Sequence, residues 1–242
     1  MVWGDVRIAR GLAACLMLLP AIGQADVLVV RAVGPSAGAY PPGRSLPDAA
    51  KLSLRAGDQI TLLDNRGTRA LKGPGVFAAA GGATAQGGTA LAALVGQRSE
   101  RRARIGAVRN VSSDAAPGAN RRPNIFVVDL GQSGATCLAD PKSVTLWRSD
   151  TNAVGATTIT GAGGASAKLN WGRGQAIQSW PTALPVTDGA SYQLVGPIAT
   201  TTVRLKLLKA QPAGLQDMAS MLIAADCKAQ LDALIATAGG TG

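Results

Sequence analysis

No histidine occurs among the 242 residues. Its absence removes the usual general base at neutral pH, the Ser–His and Cys–His nucleophile pairs, and the commonest metal ligand. Cysteine is nearly as scarce. Cys15, Cys137 and Cys227 are the only three, spaced too far apart for a Cys-x-x-Cys redox or zinc motif. Phosphate-loop and nucleophile-elbow patterns are also missing. No Gly-Lys-Ser/Thr and no Ser-x-x-Lys occurs, and Gly161-Ala162-Gly163-Gly164 lacks the GxGxxG spacing. In Gly131-Gln132-Ser133-Gly134 the second glycine comes one residue early. Carboxylates could still pair in space, with Asp129, Asp140, Asp150 and Asp188 as candidates. In β proteins, however, such aspartates mostly serve turns. The sequence reads as non-enzymatic, with no catalytic residues, no metal site and no cofactor.

Aromatic residues make up 3% of the chain and charged residues 16%, the latter well under the roughly one quarter of an average domain. Apolar residues reach 47%, but much of that share is alanine, and 31 glycines and 13 prolines accompany it. Cores built from such residues are modest, so Trp147, Trp171 and Trp180 stand out as large packing units. They have two readings, core packing or a sugar-binding platform with an exposed indole face, and iodide quenching of tryptophan fluorescence separates the two. The net charge of +10 likewise serves either solubility or an anionic partner: lipid headgroups, an acidic glycan or an acidic protein. The basic face interleaved with aromatics that a single-strand binder needs is missing, so nucleic acid is not expected.

No apolar run is long enough to cross a bilayer as a helix, which takes about 20 residues. The longest, residues 11–23 (GLAACLMLLPAIG), follows Arg7 and Arg10 and precedes the small residues Gly23 and Ala25. A weakly basic segment, a short apolar one and small residues two apart are what a signal peptidase reads. The expectation is a signal peptide over 1–25, cleaved after Ala25, and a periplasmic or secreted protein with no transmembrane segment in the mature chain. Leu12-Ala13-Ala14-Cys15 also resembles a lipobox, although most of the apolar run follows the cysteine rather than preceding it. With Cys15 removed, Cys137 and Cys227 form an even pair in an exported chain, which reads as a disulfide; two buried free thiols are the alternative. A thiol count on the denatured, unreduced protein decides between them.

Along the mature chain, Asp26 onward (DVLVVRAVG) is a β-rich opening. Leu52 and Leu54, then Ile60 and Leu62, alternate with polar residues. Ala56-Gly57-Asp58 and Asp64-Asn65-Arg66-Gly67 make turns. Period two broken by such turns predicts a small antiparallel β-meander domain over 26–78. Residues 79–123 read as a Gly/Ala- and Arg-rich linker with a short helix after Thr89. This stretch holds Arg98, Arg101, Arg102, Arg104, Arg109, Arg121 and Arg122 against only Glu100 and Asp114. It is either a solvated linker or an anion-binding arm whose contacts salt would screen.

From residue 124 the β pattern returns. Segments 125–130, 144–147, 156–160, 168–171, 175–180, 191–195 and 201–208 are separated by Gly, Asp and Asn turns, as in an antiparallel β-sandwich. One helix is expected over 214–236. Leu215, Met218, Leu222, Ile223, Cys227, Gln230, Leu231 and Leu234 follow its i, i+3, i+4 spacing, so Cys227 falls on the packed face. The fold class is therefore mainly β: an N-terminal antiparallel domain plus a C-terminal sandwich-like domain with one packed helix.

The segment Leu54-Arg55-Ala56-Gly57-Asp58-Gln59-Ile60-Thr61-Leu62-Leu63-Asp64, with Gly67 and Thr68, resembles the short β-repeat of FecR-like periplasmic domains over about residues 52–78. The remainder, from Cys137 through the Trp-bearing strands to Cys227, is similar to exported proteins of alphaproteobacteria that carry no assigned function. The cytoplasmic anti-sigma region and membrane span of FecR proteins proper are not read in this sequence, so sigma-factor regulation is not carried over. The resemblance implies a periplasmic binding or signalling accessory module. Two functional expectations follow. One is an interaction protein that contacts an envelope protein partner through open edges of the N-terminal sheet. The other is an envelope-binding protein that meets anionic glycan or lipid through the Arg-rich stretch and the tryptophans.

Overall fold

The first strand of the computed structural model, β1 (Asp26–Val33), buries four residues in succession, Val27, Leu28, Val29 and Val30. Strict alternation would leave every second one in water. An unbroken buried run means that both faces of the sheet are covered. The sheet has the order β2-β1-β4-β5, with β2 (Ser45–Pro47), β4 (Gln59–Asp64) and β5 (Gly67–Lys72) all antiparallel to their neighbours. Leu28 faces Leu63 and Val29 faces Leu62, but Arg31 then faces Thr61, so Val30 is the extra residue of a β-bulge. On one side Val27, Val29, Ile60, Leu62 and Leu71 meet Leu52 and Leu54 of a separate pair, β3 (Lys51–Leu54) with β6 (Gly75–Ala78). On the other side Leu28, Val30 and Leu63 pack against the C-terminal helices.

The N-terminal unit is thus antiparallel but departs from a simple meander. β3 leaves the sequential order to pair with β6, and β1 sits between β2 and β4. Period two identifies a strand without identifying its neighbour. The structure describes residues 26–81 and 122–239. The expected signal peptide over 1–25, the expected short helix after Thr89 and the arginines from Arg98 to Arg121 lie outside the described residues.

The second β unit is a sandwich. A five-stranded sheet runs β11-β10-β13-β14-β8 and a three-stranded sheet β12-β9-β7. In chain order the strands are β7 (Val128–Asp129), β8 (Gly134–Leu138), β9 (Thr145–Trp147), β10 (Gly155–Thr160), β11 (Ser166–Trp171), β12 (Ile177–Ser179), β13 (Ser191–Val195) and β14 (Thr200–Leu207). Val128 and Leu146 from the small sheet meet Ile159, Trp171, Leu194, Val203 and Leu205 from the large one, closing an apolar layer between them. Two pairings are parallel, β14 with β8 and β7 with β9, so the sandwich is not antiparallel throughout. The apolar run 125–130 contributes only two residues to a ladder. Ile125 is instead buried beneath the helices.

The chain ends in two helices rather than one, α1 (Leu215–Ala224) and α2 (Lys228–Ala238). Asp226 adopts φ 58°, the left-handed region. The Cys227 N–H bonds Leu222 O at 2.9 Å and the Asp226 N–H bonds Ile223 O at 3.1 Å. These are the two bonds of a Schellman motif, which ends a helix by turning its last carbonyls inward. The apolar spacing carries on across the break, so periodicity alone conceals it. The turn delivers Cys227 to Cys137 of β8 as a buried disulfide with Cα atoms 5.9 Å apart and a sequence separation of 90. On the chain-entropy model, closing a loop of that length stabilises by about 4.6 kcal/mol. The helices pack on Leu28, Val30 and Leu63 as well as on Ile125 and Cys137, so one apolar cluster joins the two β units.

Gln230, on α2, sits inside that cluster and is buried. Its Oε1 accepts the Cys137 N–H at 2.6 Å, and its Nε2 donates to Cys137 O and Ile125 O, each at 2.7 Å. β8 is the last strand of its sheet. A side-chain amide therefore takes the place of a neighbouring strand and seals that edge.

Candidate functional site

Arg148 directly follows β9 and is 3% exposed. Its backbone N–H continues the ladder direction to Ala176 O at 3.0 Å. The guanidinium donates from Nε to Gln175 O at 2.8 Å, from Nη1 to Ala153 O at 2.5 Å and from Nη2 to Gly172 O at 2.8 Å. It also lies over the Trp171 ring at 4.9 Å from the centroid. The indole Nε1 of Trp171 donates to Thr157 Oγ1 at 3.0 Å. One cation thereby fixes the loop before β10 and the β11–β12 connection. Among the described residues no carboxylate forms a salt bridge with it. Burial lowers its pKa, and the nearby Asp150 charge works in the opposite direction.

Beside this guanidinium lies a cavity of about 70 Å³, walled by Trp171, Thr157, Leu130, Leu194 and Pro197. Ile198 stands at its mouth and is 57% exposed. Gly155 approaches Pro197 so closely that a Cβ there would lie 3.1 Å from the proline ring. The loop that bears Val154, 63% exposed, therefore adjoins the loop that bears Ile198. Val195 is exposed as well. The cavity thus has an exposed apolar residue, Ile198, at its mouth and a buried cation in its wall.

The residues singled out from sequence fall elsewhere. All three tryptophans are buried, so none offers a ring face for a sugar to stack on. Trp180 donates to Leu184 O at 3.0 Å and meets Tyr192 edge-on at 4.9 Å. Trp147 lies under Arg122, 5.3 Å from guanidinium carbon to ring centroid, and its buried Nε1 has no hydrogen-bond partner among the described residues. Arg122 is the one member of the arginine set among the described residues. It is committed to Asp129 Oδ2 at 2.5 Å, with Gln132 Oε1 at 3.3 Å. Arg98, Arg101, Arg102, Arg104, Arg109 and Arg121 lie outside the described residues. Asp129, Asp140, Asp150 and Asp188 each accept a backbone N–H, from Gly131, Lys142, Asn152 and Leu207 respectively. They build turns and loops.

Asp58, in the turn before β4, is the second buried charge among the described residues. Its carboxylate accepts the Ser36 N–H at 2.8 Å and the Arg55 N–H at 2.5 Å, tying the β3–β4 turn to the loop after β1. Gly34, at φ +110°, comes so near that a Cβ would lie 2.6 Å from Asp58 Oδ1, so only glycine fits there. Burial by itself raises the carboxyl pKa. The hydrogen bonds from the Ser36 side chain and backbone and from Arg55, with the Arg55 charge, outweigh it, and the pKa ends below the ordinary value of 3.8. The Gly57-Asp58 turn is thus a structural clamp.

Sequence reasoning did not find Arg148. Between Trp147 and Ser149 it carries no spacing signal, and an isolated arginine reads as a surface cation until three carbonyls are seen to converge on it. No family model, curated protein or solved structure matches the chain. No helix among the described residues is long and apolar enough to cross a membrane.

Proposed function

We propose that this is a non-enzymatic interaction protein of the periplasm or extracellular space, exported by a signal peptide over 1–25, that binds an envelope protein partner. The observation that carries the reading is Ile198, 57% exposed at the mouth of the Arg148 cavity, with the exposed Val154 on the adjoining loop. In a chain with so few large apolar residues, two exposed on adjoining loops at one opening mark a contact surface. The contact face is therefore this end of the sandwich. The N-terminal sheet edges are poor docking edges: β2 has three residues and ends in Pro47, and β5 starts against the end of α2, where Thr68 Oγ1 donates to Ile235 O at 3.3 Å. The buried disulfide agrees with an oxidising compartment.

The test is recovery of a partner from an envelope fraction by the full chain, compared with Ile198→Glu. Recovery should survive 0.5 M salt and be lost in the variant. Recovery that disappears by 0.3 M salt and ignores the variant would overturn this reading in favour of anion binding through the Arg-rich stretch.

A further inference from the structure

We infer that the open face of the five-stranded sheet binds a linear acidic polysaccharide, one with carboxylates at wide intervals along a hydroxyl-rich backbone. This goes beyond the protein-partner reading and does not depend on it.

The outer face of that sheet is divided. At β8 the helices cover it, through Ala135 and Cys137. On β14, β13, β10 and β11 the outward residues are exposed or half-buried. The register sets them in rows. Lys168, Thr158 and Thr200 share one row with Val195, and Thr160, Gln193 and Thr202 share the next. Arg204 follows, opposite Ser191. The alternate residues Ile159, Leu194 and Val203 are fully buried, so the core fixes where each outward side chain stands.

No aspartate, glutamate or aromatic residue stands at an outward position of these four strands. Lys168 and Arg204 are both exposed, on opposite sides of the face, and neither forms a salt bridge among the described residues. Three strand spacings and four residues of β14 separate them, about 20 Å between Cα atoms. Cations with no carboxylate on their face favour an anion. Charges this sparse do not match a nucleic acid, whose duplex strand carries one about every 3.4 Å, and the face lacks the aromatic platform on which bases stack. Between the cations lie threonine hydroxyls and the Gln193 amide, groups that both donate and accept. Threonine is stiff at χ1, so its hydroxyl is placed before a ligand arrives and little rotamer freedom is lost on contact. Such a surface suits a polymer that is itself a run of hydroxyls with an occasional carboxylate.

The test is isothermal titration of the full, disulfide-bonded chain at low salt with three probes: hexagalacturonate, its fully methyl-esterified form, and linear polyphosphate of similar charge. Hexagalacturonate should bind saturably, and the neutral ester at least about tenfold more weakly. Lys168→Gln and Arg204→Gln should each weaken the acid about three- to fivefold, the size of an exposed ion pair. Thr160→Val and Thr202→Val keep shape and β-branching. Each should weaken hexagalacturonate at least about twofold, leave polyphosphate unaffected and leave the unfolding midpoint unchanged. Replacing Arg98, Arg101, Arg102 and Arg104 with glutamine should preserve the dependence on Lys168 and Arg204. Three results would overturn the inference: no saturable binding of hexagalacturonate, threonine variants that bind it like the native chain, or binding that is lost with those arginines and indifferent to Lys168 and Arg204.

Discussion

Replacing Gln230 tests whether a single amide closes the sheet and joins the two β units. In Gln230→Leu the side chain keeps a similar volume, so packing changes little, but three hydrogen bonds disappear. The Cys137 N–H and C=O point away from the β14 ladder, which uses their neighbours; Leu138 O, for example, accepts the Leu208 N–H at 2.9 Å. Their partner is Gln230. An orphaned buried donor costs about 1–3 kcal/mol, and under-satisfied carbonyls cost less. With Ile125 O also affected, the expected loss is about 2–4 kcal/mol in urea unfolding followed by tryptophan fluorescence, with unchanged slope. Gln230→Glu adds a pH signature. The ionised carboxylate would face two carbonyl oxygens, so its folded pKa rises above the unfolded value of about 4.3. The penalty is then greatest at neutral pH and shrinks as pH falls and the protonated acid donates again. A loss under about 1 kcal/mol for the leucine variant, or a glutamate penalty independent of pH, would refute the argument.

Two further outcomes follow from the turns. Asp58 has a lowered folded pKa, so its contribution is complete above the unfolded value near 3.8 and is lost as pH falls through the lower folded one. Asp58→Asn should be less stable than the native chain by a constant margin from about pH 7 to pH 4. That margin should narrow below pH 4; a margin that holds at about pH 2.5 contradicts the clamp. Asp226→Gly relieves a left-handed residue at the corner between α1 and α2 and should raise stability by about 0.5–1 kcal/mol. The exposed Asp226–Lys228 pair that it removes, 3.1 Å apart, contributes little. A lower unfolding midpoint in Asp226→Gly would show that the aspartate side chain does more than turn the chain.

Much of the β architecture was legible because alternation and turn chemistry are local. Segment 191–195 coincides with β13, and 156–160 and 168–171 lie within β10 and β11. Trp147, Trp171 and Trp180 read as large packing units, and all are buried. The helix corner was not legible, because Asp226 takes a conformation usually given to glycine and the apolar stripe runs through it. Strand β8 was also missed: its sequence GATCL has no alternation, and a strand from far along the chain, β14, pairs with it. Gln230 read as one more position on the packed face, with nothing to show that its amide had a task there.

By itself, the amino-acid sequence determined the strands and turns of a mainly β chain, a cysteine count of three, and the lack of residues for histidine-based chemistry. Those properties reside in neighbours along the chain. Tertiary structure decided which strands pair, that the helices join the two β units, and that an unremarkable arginine is buried under Trp171 beside a small apolar cavity. The carbonyls that hold Arg148 come from residues 153, 172 and 175. Only folding brings those groups within hydrogen-bond distance of one guanidinium, so the charge that defines the candidate site has no counterpart in local sequence.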